Sequence, residues 1–264
     1  MLNHLRSILP AVIIGFLVVF FAAPGSVYAQ GAFSAITTVH MNVEYQPGVS
    51  EADARKVADY LQNDYNYISD KIGLDFKKRL EVKIYDSVGK FLSATNQKKP
   101  WRGAVYARGV LSLQPVQALV QRGIFEQSLS YELAVALLDQ TSGKGCPRWL
   151  RESFAVYHSG EMADLSVPIG AKLSYFSDLD QDIQQYPDPP QREDVHFVLG
   201  QTMKFLVEKF GEEKAFKVYK AFNGTTPVED IFKRIFKQEF RTIERTWSNF
   251  IAAQTDIFKK PSEQ

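Results

Sequence analysis

SLSYELAVALLDQ (Ser128–Gln140) and PRWLRESFAVYHSG (Pro147–Gly160) are the stretches whose reading decides the fold of this chain. Both are helical in pattern. A helix is predicted from about Arg122 to Gln140, and a second from near Pro147, where proline suits a first turn, to about Ser159. Leu133, Leu137, Leu138, Trp149, Leu150, Phe154, Ala155 and Tyr157 are scaffold positions. Ser142-Gly143-Lys144-Gly145 between the helices is a flexible turn.

Toward the N-terminus the period changes from helical to alternating. Ala35 to Tyr45 is rich in Val, Ile and Thr and predicts a strand stopped by Pro47-Gly48. Ser50-Glu51-Ala52-Asp53 resembles a capping box. Behind it, Ala54, Val57, Ala58, Leu61, Tyr65, Ile68 and Ile72 recur at helical steps, predicting a helix from Glu51 to Ile72. Leu80, Val82 and Ile84 alternate with Glu81, Lys83 and Tyr85 as a second strand. Gly103–Tyr106 and Val110–Leu113 flank Arg108-Gly109 as a hairpin or two successive strands.

Toward the C-terminus, residues Glu161 to Pro190 lack sustained periodicity and read as a long surface loop. Val195, Leu199, Met203 and Leu206 then mark a helix ended by Gly211. Thr226-Pro227-Val228-Glu229 reads as another capping-box start, and helices continue to about Ile257. The expected class is α+β: a small N-terminal sheet with a covering helix, then a helical half.

The 264 residues, with 31 Lys+Arg against 30 Asp+Glu and 45% hydrophobic, have ordinary globular composition. So balanced a charge leaves no electrostatic footprint for nucleic acid, which is excluded as a partner. Residues 1–29 have a basic start at Arg6, an apolar run from Ile8 to Ala23, a break at Pro24-Gly25 and then Val27-Tyr28-Ala29, the layout of a secretory signal peptide cleaved before Gln30. An uncleaved membrane anchor is the alternative, and it would be the protein's only membrane contact. Export to the periplasm or outside the cell is expected, or anchoring at the inner membrane. Cys146 is the one cysteine and has no internal disulfide partner, so the core must hold the fold.

The central helix pair resembles the gluzincin-type peptidase MA-like domains of exported bacterial proteins. In these the first segment reads like HELTHVLL and the second like PRWLNEGLAEYFSG. Gly200–Gly211 (GQTMKFLVEKFG) and Ile243–Ile251 (IERTWSNFI) are similar in kind to later family segments, so the resemblance extends from about Ala35 to Phe258. It implies a zincin-like fold over residues 30–264, with a sheet subdomain at 30–115 and a helical one at 116–258. In active members of that family two histidines four residues apart on one helix face bind zinc. The glutamate between them polarises a zinc-bound water, and a glutamate on the next helix is the third ligand.

Mapped onto that pattern, this chain has Tyr131 and Val135 at the histidine positions, Glu132 at the general-base position and Glu152 at the third-ligand position. Valine carries no donor atom, and a neutral phenol is a poor zinc ligand. Arg151, Ser153 and Val156 also depart from the pattern. Of the histidines after the signal segment, His158 stands six residues past Glu152, about 240° around a helix and facing away from it. His40 and His196 reach the site only if folding brings them there. The expectation is therefore a metal-free, catalytically inactive metallopeptidase homologue without cofactor, binding a peptide or protein in the old substrate cleft. The alternatives are an active zinc peptidase with a non-standard site and a membrane-tethered structural protein.

Without zinc, Glu132 and Glu152 would face each other across adjoining helices. Two close buried carboxylates do not readily both ionise, so one stays protonated or a neighbour compensates. The Tyr131 hydroxyl or Arg151 is expected to compensate, with Val135 filling the space of an imidazole. Elsewhere, Cys146 reads as a small buried hydrophobe, and Phe232, Phe236 and Phe240 as a helix core face. Lys209, Lys214, Lys217 and Lys220 read as a solvated helix face, and the sequon at Asn223-Gly224-Thr225 carries no weight in a bacterial setting.

Overall fold

Ser50 opens the helix that organises the N-terminal part. Its Oγ accepts the Asp53 N–H at 3.1 Å, satisfying one of the orphan donors of the first turn of α1 (Glu51–Ile72). The predicted capping box closes between side chains instead, Ser50 Oγ donating to Asp53 Oδ2 at 2.9 Å. At the other end Gly73 takes φ 60°, a left-handed conformation favourable to glycine, and returns its N–H to Ser69. The buried face of α1 is the stripe predicted from its spacing. Ser50→Ala should cost about 1 kcal/mol in urea-unfolding free energy; an unchanged midpoint would show that the cap contributes nothing.

The computed structural model describes residues 33–142, 145–161, 175–186, 189 and 191–256. The predicted signal segment and Ile257 lie outside them. Among the described residues no helix is long and apolar enough to cross a membrane.

The fold is mixed α and β, with a small N-terminal sheet and a mostly helical remainder. The stretch read as one strand is two, β1 (Ser34–Thr37) and β2 (Met41–Tyr45), paired antiparallel with Thr38 N–H bonded to Met41 O at 2.9 Å. β2 runs parallel to β3 (Leu80–Ile84), and β3 parallel to β5 (Val110–Leu113). β4 (Ala104–Ala107) pairs antiparallel with β5 and lies at the sheet edge. Arg108 and Gly109 both have positive φ, making β4–β5 a tight hairpin. Between β3 and β4 a helix not predicted, α2 (Val88–Thr95), buries only Phe91 and so has no periodic stripe to reveal it.

The remaining helices are α3 (Val116–Gln121), α4 (Phe125–Thr141), α5 (Arg148–Ser159), α6 (Phe176–Gln185), α7 (Gln191–Phe210), α8 (Glu212–Lys220), α9 (Val228–Phe236) and α10 (Phe240–Asp256). α6 corrects the long-loop reading of Glu161–Pro190: Phe176, Leu179 and Ile183 are buried along its inner face. The rest of that loop, apart from Glu161, Tyr175, Tyr186 and Pro189, lies outside the described residues. α7 starts four residues before Val195. The capping box predicted at Thr226–Glu229 is absent, because the side chain of Asn223 takes the Thr226 N–H and Pro227 sits at the cap position.

One hydrophobic core extends from Met41 through α1, α4 and α5 to Ile251, joining the sheet to the helices. Its aromatic centre stacks Trp149 on Phe176 at 4.3 Å and Phe176 against Trp247 at 4.6 Å. Trp247 Nε1 donates to Thr202 Oγ1 at 2.9 Å, so the indole is buried without an orphaned donor. Phe232, Phe236 and Phe240 are core, as read, but Phe240 belongs to the next helix: Lys237 at φ 58° ends α9 between them. Cys146 is buried, and the four lysines are exposed.

Candidate functional site

Three helices bring charge into one buried place. α4 supplies Tyr131, Glu132 and Val135, α5 supplies Arg148 and Glu152, and α7 supplies Arg192 and His196. Glu152 is the hub, 6% exposed. Its Oε1 accepts from Arg148 Nε at 2.7 Å; its Oε2 accepts from the Tyr131 hydroxyl at 2.6 Å and from Arg192 Nη2. Burial alone would raise this carboxyl, but Arg192, then Arg148 and Tyr131, overcome it and hold Glu152 near 2. Glu152 is an ionised carboxylate at neutral pH.

Arg192 is itself 2% exposed and fully engaged. Its Nη1 donates to Ile183 O at 3.3 Å and its Nε to His196 Nε2 at 2.6 Å. A guanidinium has only donors, so Nε2 of His196 must be the acceptor. The ring proton then sits on Nδ1, which donates to Glu161 Oε1 at 2.9 Å. The imidazole stacks on Tyr131 at 5.4 Å with 19° between the planes. The result is a continuous chain Glu161–His196–Arg192–Glu152–Tyr131.

Glu132 has the opposite environment. It is 5% exposed, and its Oε2 accepts the Tyr106 N–H of β4 at 2.8 Å. Burial pushes its carboxyl up to about 7, with Arg102 and the Tyr106 N–H pulling down and the charge of Glu152 pushing further up. Both resolutions foreseen for the carboxylate pair therefore operate at once, one glutamate being compensated by its neighbours and the other pushed by burial toward its protonated form. The Tyr131 hydroxyl compensates as expected. Arg151 does not: it pairs with Asp139 at 3.1 Å, and Arg192 and Arg148 hold Glu152 instead. Val135, expected to fill the space of an imidazole, stands half-buried on the wall of a cavity of about 150 Å³ that both glutamates line.

Of the histidines among the described residues, the fold brings only His196 to these side chains. His40 meets Gln62 and Tyr65, and His158 pairs with Asp64. These donors do not fit a zinc ion. Glu152 has both oxygens committed to cationic or hydroxyl donors, both nitrogens of His196 are engaged, and Val135 offers nothing. Among the described residues no group of three or more His, Cys, Asp and Glu side chains is gathered as a metal would need. Chemically, the site offers a carboxyl that exchanges its proton near neutral pH, beside the Arg102 cation. Arg102, Gly103 and Ala104 border a second cavity, of about 110 Å³, whose far wall is Tyr131, Glu132 and His196.

Sequence reading missed Arg192, Arg148, Arg102 and Glu161. Arg148–Glu152 was legible as an i, i+4 pair on one helix face. Arg192 and His196 stand at the same spacing, but starting α7 at Val195 left the arginine in the preceding loop. Comparison of the chain with models of known protein families and with curated proteins finds no match.

Proposed function

We propose that this chain is an exported peptidase-like protein of gluzincin architecture that has exchanged its metal for a guanidinium and binds a peptide or partner protein without hydrolysing it. The observation that carries this reading is the Arg192–Glu152 ion pair, 2% and 6% exposed, at the position that the motif resemblance assigns to the third zinc ligand. A cation delivered by the chain offsets the carboxylate that zinc would otherwise neutralise. The binding role draws support from the cavity of about 110 Å³ beside the edge strand β4, which Tyr131, Glu132 and His196 also line.

The rival, a zinc peptidase with an unconventional site, gains from His196 lying against Tyr131. It requires Arg192 to leave. Elemental analysis of the purified protein after incubation with zinc and desalting separates the two. Substoichiometric zinc is expected from the parent and also from Tyr131→His/Val135→His, since Arg192 still holds Glu152. Adding Arg192→Ala to that pair should bring uptake to one equivalent. Stoichiometric zinc in the parent, together with chelator-sensitive peptide cleavage, would overturn the proposal.

A further inference from the structure

A cavity of about 490 Å³ opens between α1, α4, the end of α5 and α8. Its size suits a small organic ligand. Helical spacing builds it: Tyr60, Asp64, Tyr67 and Lys71 lie along one stripe of α1 beside its buried face. α4 adds Glu126 and Ser130 at i, i+4, α5 adds Tyr157 and His158, and α8 adds Glu212.

The wall is rigid where it is aromatic. The His158 ring stacks with Tyr67 and with Phe154, each at 5.8 Å, while its Nε2 meets Asp64 Oδ1 at 2.8 Å. Tyr67 is nevertheless 56% exposed, an aromatic face propped up at the mouth. The Tyr60 hydroxyl is fixed by Ser130 Oγ at 2.7 Å. The other oxygen of Asp64, Oδ2, is buried and has no hydrogen-bond partner among the described residues.

The wall is also negative. Asp64, Glu126 and Glu212 face one ammonium, Lys71, so the lining carries an excess of negative charge whether or not the imidazole is protonated. Tyr60 registers that field: burial first, then Asp64 and Glu126, push its hydroxyl up to about 12. Lys71 displays the mode of recognition within the protein itself. Its Nζ bonds Glu212 Oε1 at 2.9 Å and lies 5.7 Å from the centroid of the Tyr67 ring.

We propose that this cavity binds an organic cation, a protonated amine carried on an apolar body, with the ammonium against Asp64 and Glu126 and the body against the rings of Tyr60, Tyr67 and Tyr157. An aromatic wall with excess carboxylate favours such a ligand twice over, through the ring quadrupoles and through charge, and disfavours phosphates and carboxylates. The site stands apart from Glu132 and Glu152 and does not depend on the function proposed above.

Calorimetric titration of the purified protein with benzylamine, and with benzyl alcohol as its neutral counterpart, tests this. Saturable one-to-one binding of benzylamine is expected, about tenfold tighter than that of the alcohol. Asp64→Asn should weaken the amine severalfold while leaving the alcohol unchanged, and Tyr67→Ala should weaken both ligands, the amine more than the alcohol. Tyr67 is a rim residue, so its variant keeps the test decisive if Asp64→Asn fails to fold. Absence of saturable amine binding, equal affinity for the alcohol, unaltered affinity in Tyr67→Ala, or preferential binding of a neutral oligosaccharide such as chitotriose would each overturn the proposal.

Discussion

Replacing Arg192 with methionine is expected to destabilise the protein by about 3–5 kcal/mol at pH 7, the range for removing one partner of a buried ion pair. The size follows from what is left behind. Glu152 keeps Arg148 and the Tyr131 hydroxyl, but Arg148 is 44% exposed at its side chain and screened by water, whereas Arg192 is enclosed with the carboxylate. The pH dependence should change as well. In the parent, Glu152 sits near 2 instead of the usual 4.5, so its contribution is complete above about pH 4.5 and is lost as pH falls toward 2. In the variant, burial prevails and the carboxyl rises, so stability falls as pH climbs toward neutrality. Arg192→Met/Glu152→Gln should recover most of the loss, because no charge remains stranded. Urea unfolding at pH 3, 5 and 7 reads all of this, and a deficit under about 1 kcal/mol at pH 7 would show that the guanidinium is not what neutralises Glu152.

Glu132→Gln should act in the opposite direction. The Glu132 carboxyl titrates at about 7 in the folded protein against 4.5 in the unfolded chain, so the folded state holds a proton that the unfolded state releases first. The associated stability is fully present below about pH 4.5 and is lost as pH rises through 7, amounting to about 3 kcal/mol by pH 8. Glutamine has no charge to bury and retains a carbonyl for the Tyr106 N–H. The variant should therefore match the parent near pH 4 and exceed it by about 3 kcal/mol at pH 8. Denaturation midpoints across that interval are the measurement, and a uniform loss at every pH would sink the assignment. Two glutamates on facing helices, both nearly inaccessible to solvent, thus titrate on opposite sides of the ordinary carboxylate value.

Those two glutamates and Tyr131 were marked beforehand by the motif resemblance alone, since α4 is buried nearly all round and carries no apolar stripe. α1 was legible from its own residues, by its apolar spacing and its capping serine, Ser50. What escaped was whatever lacks a local mark. The turn between β1 and β2 passes through Thr38-Val39-His40 with no glycine, proline or asparagine, so the alternation reads as one unbroken strand. α2 has one buried side chain. Arg192 is the instructive case: a polar residue ahead of the apolar stripe of α7 reads as solvent-facing loop, and only the packing of α7 on α5 and α6 turns it inward onto Glu152 and the Ile183 carbonyl. Tertiary context decides the fate of a charge in a way that periodicity cannot.

A positive group bonded covalently to the backbone never dissociates. The neutralising charge at Glu152 is present in every molecule the ribosome completes, indifferent to chelators and to the supply of divalent ions around the cell, and it forms as the helices assemble. The same permanence obstructs metal binding at this place: losing Arg192 first strands a carboxylate, while installing imidazoles first leaves them beside an occupied partner. Any route to a metal-binding descendant runs through weakened intermediates.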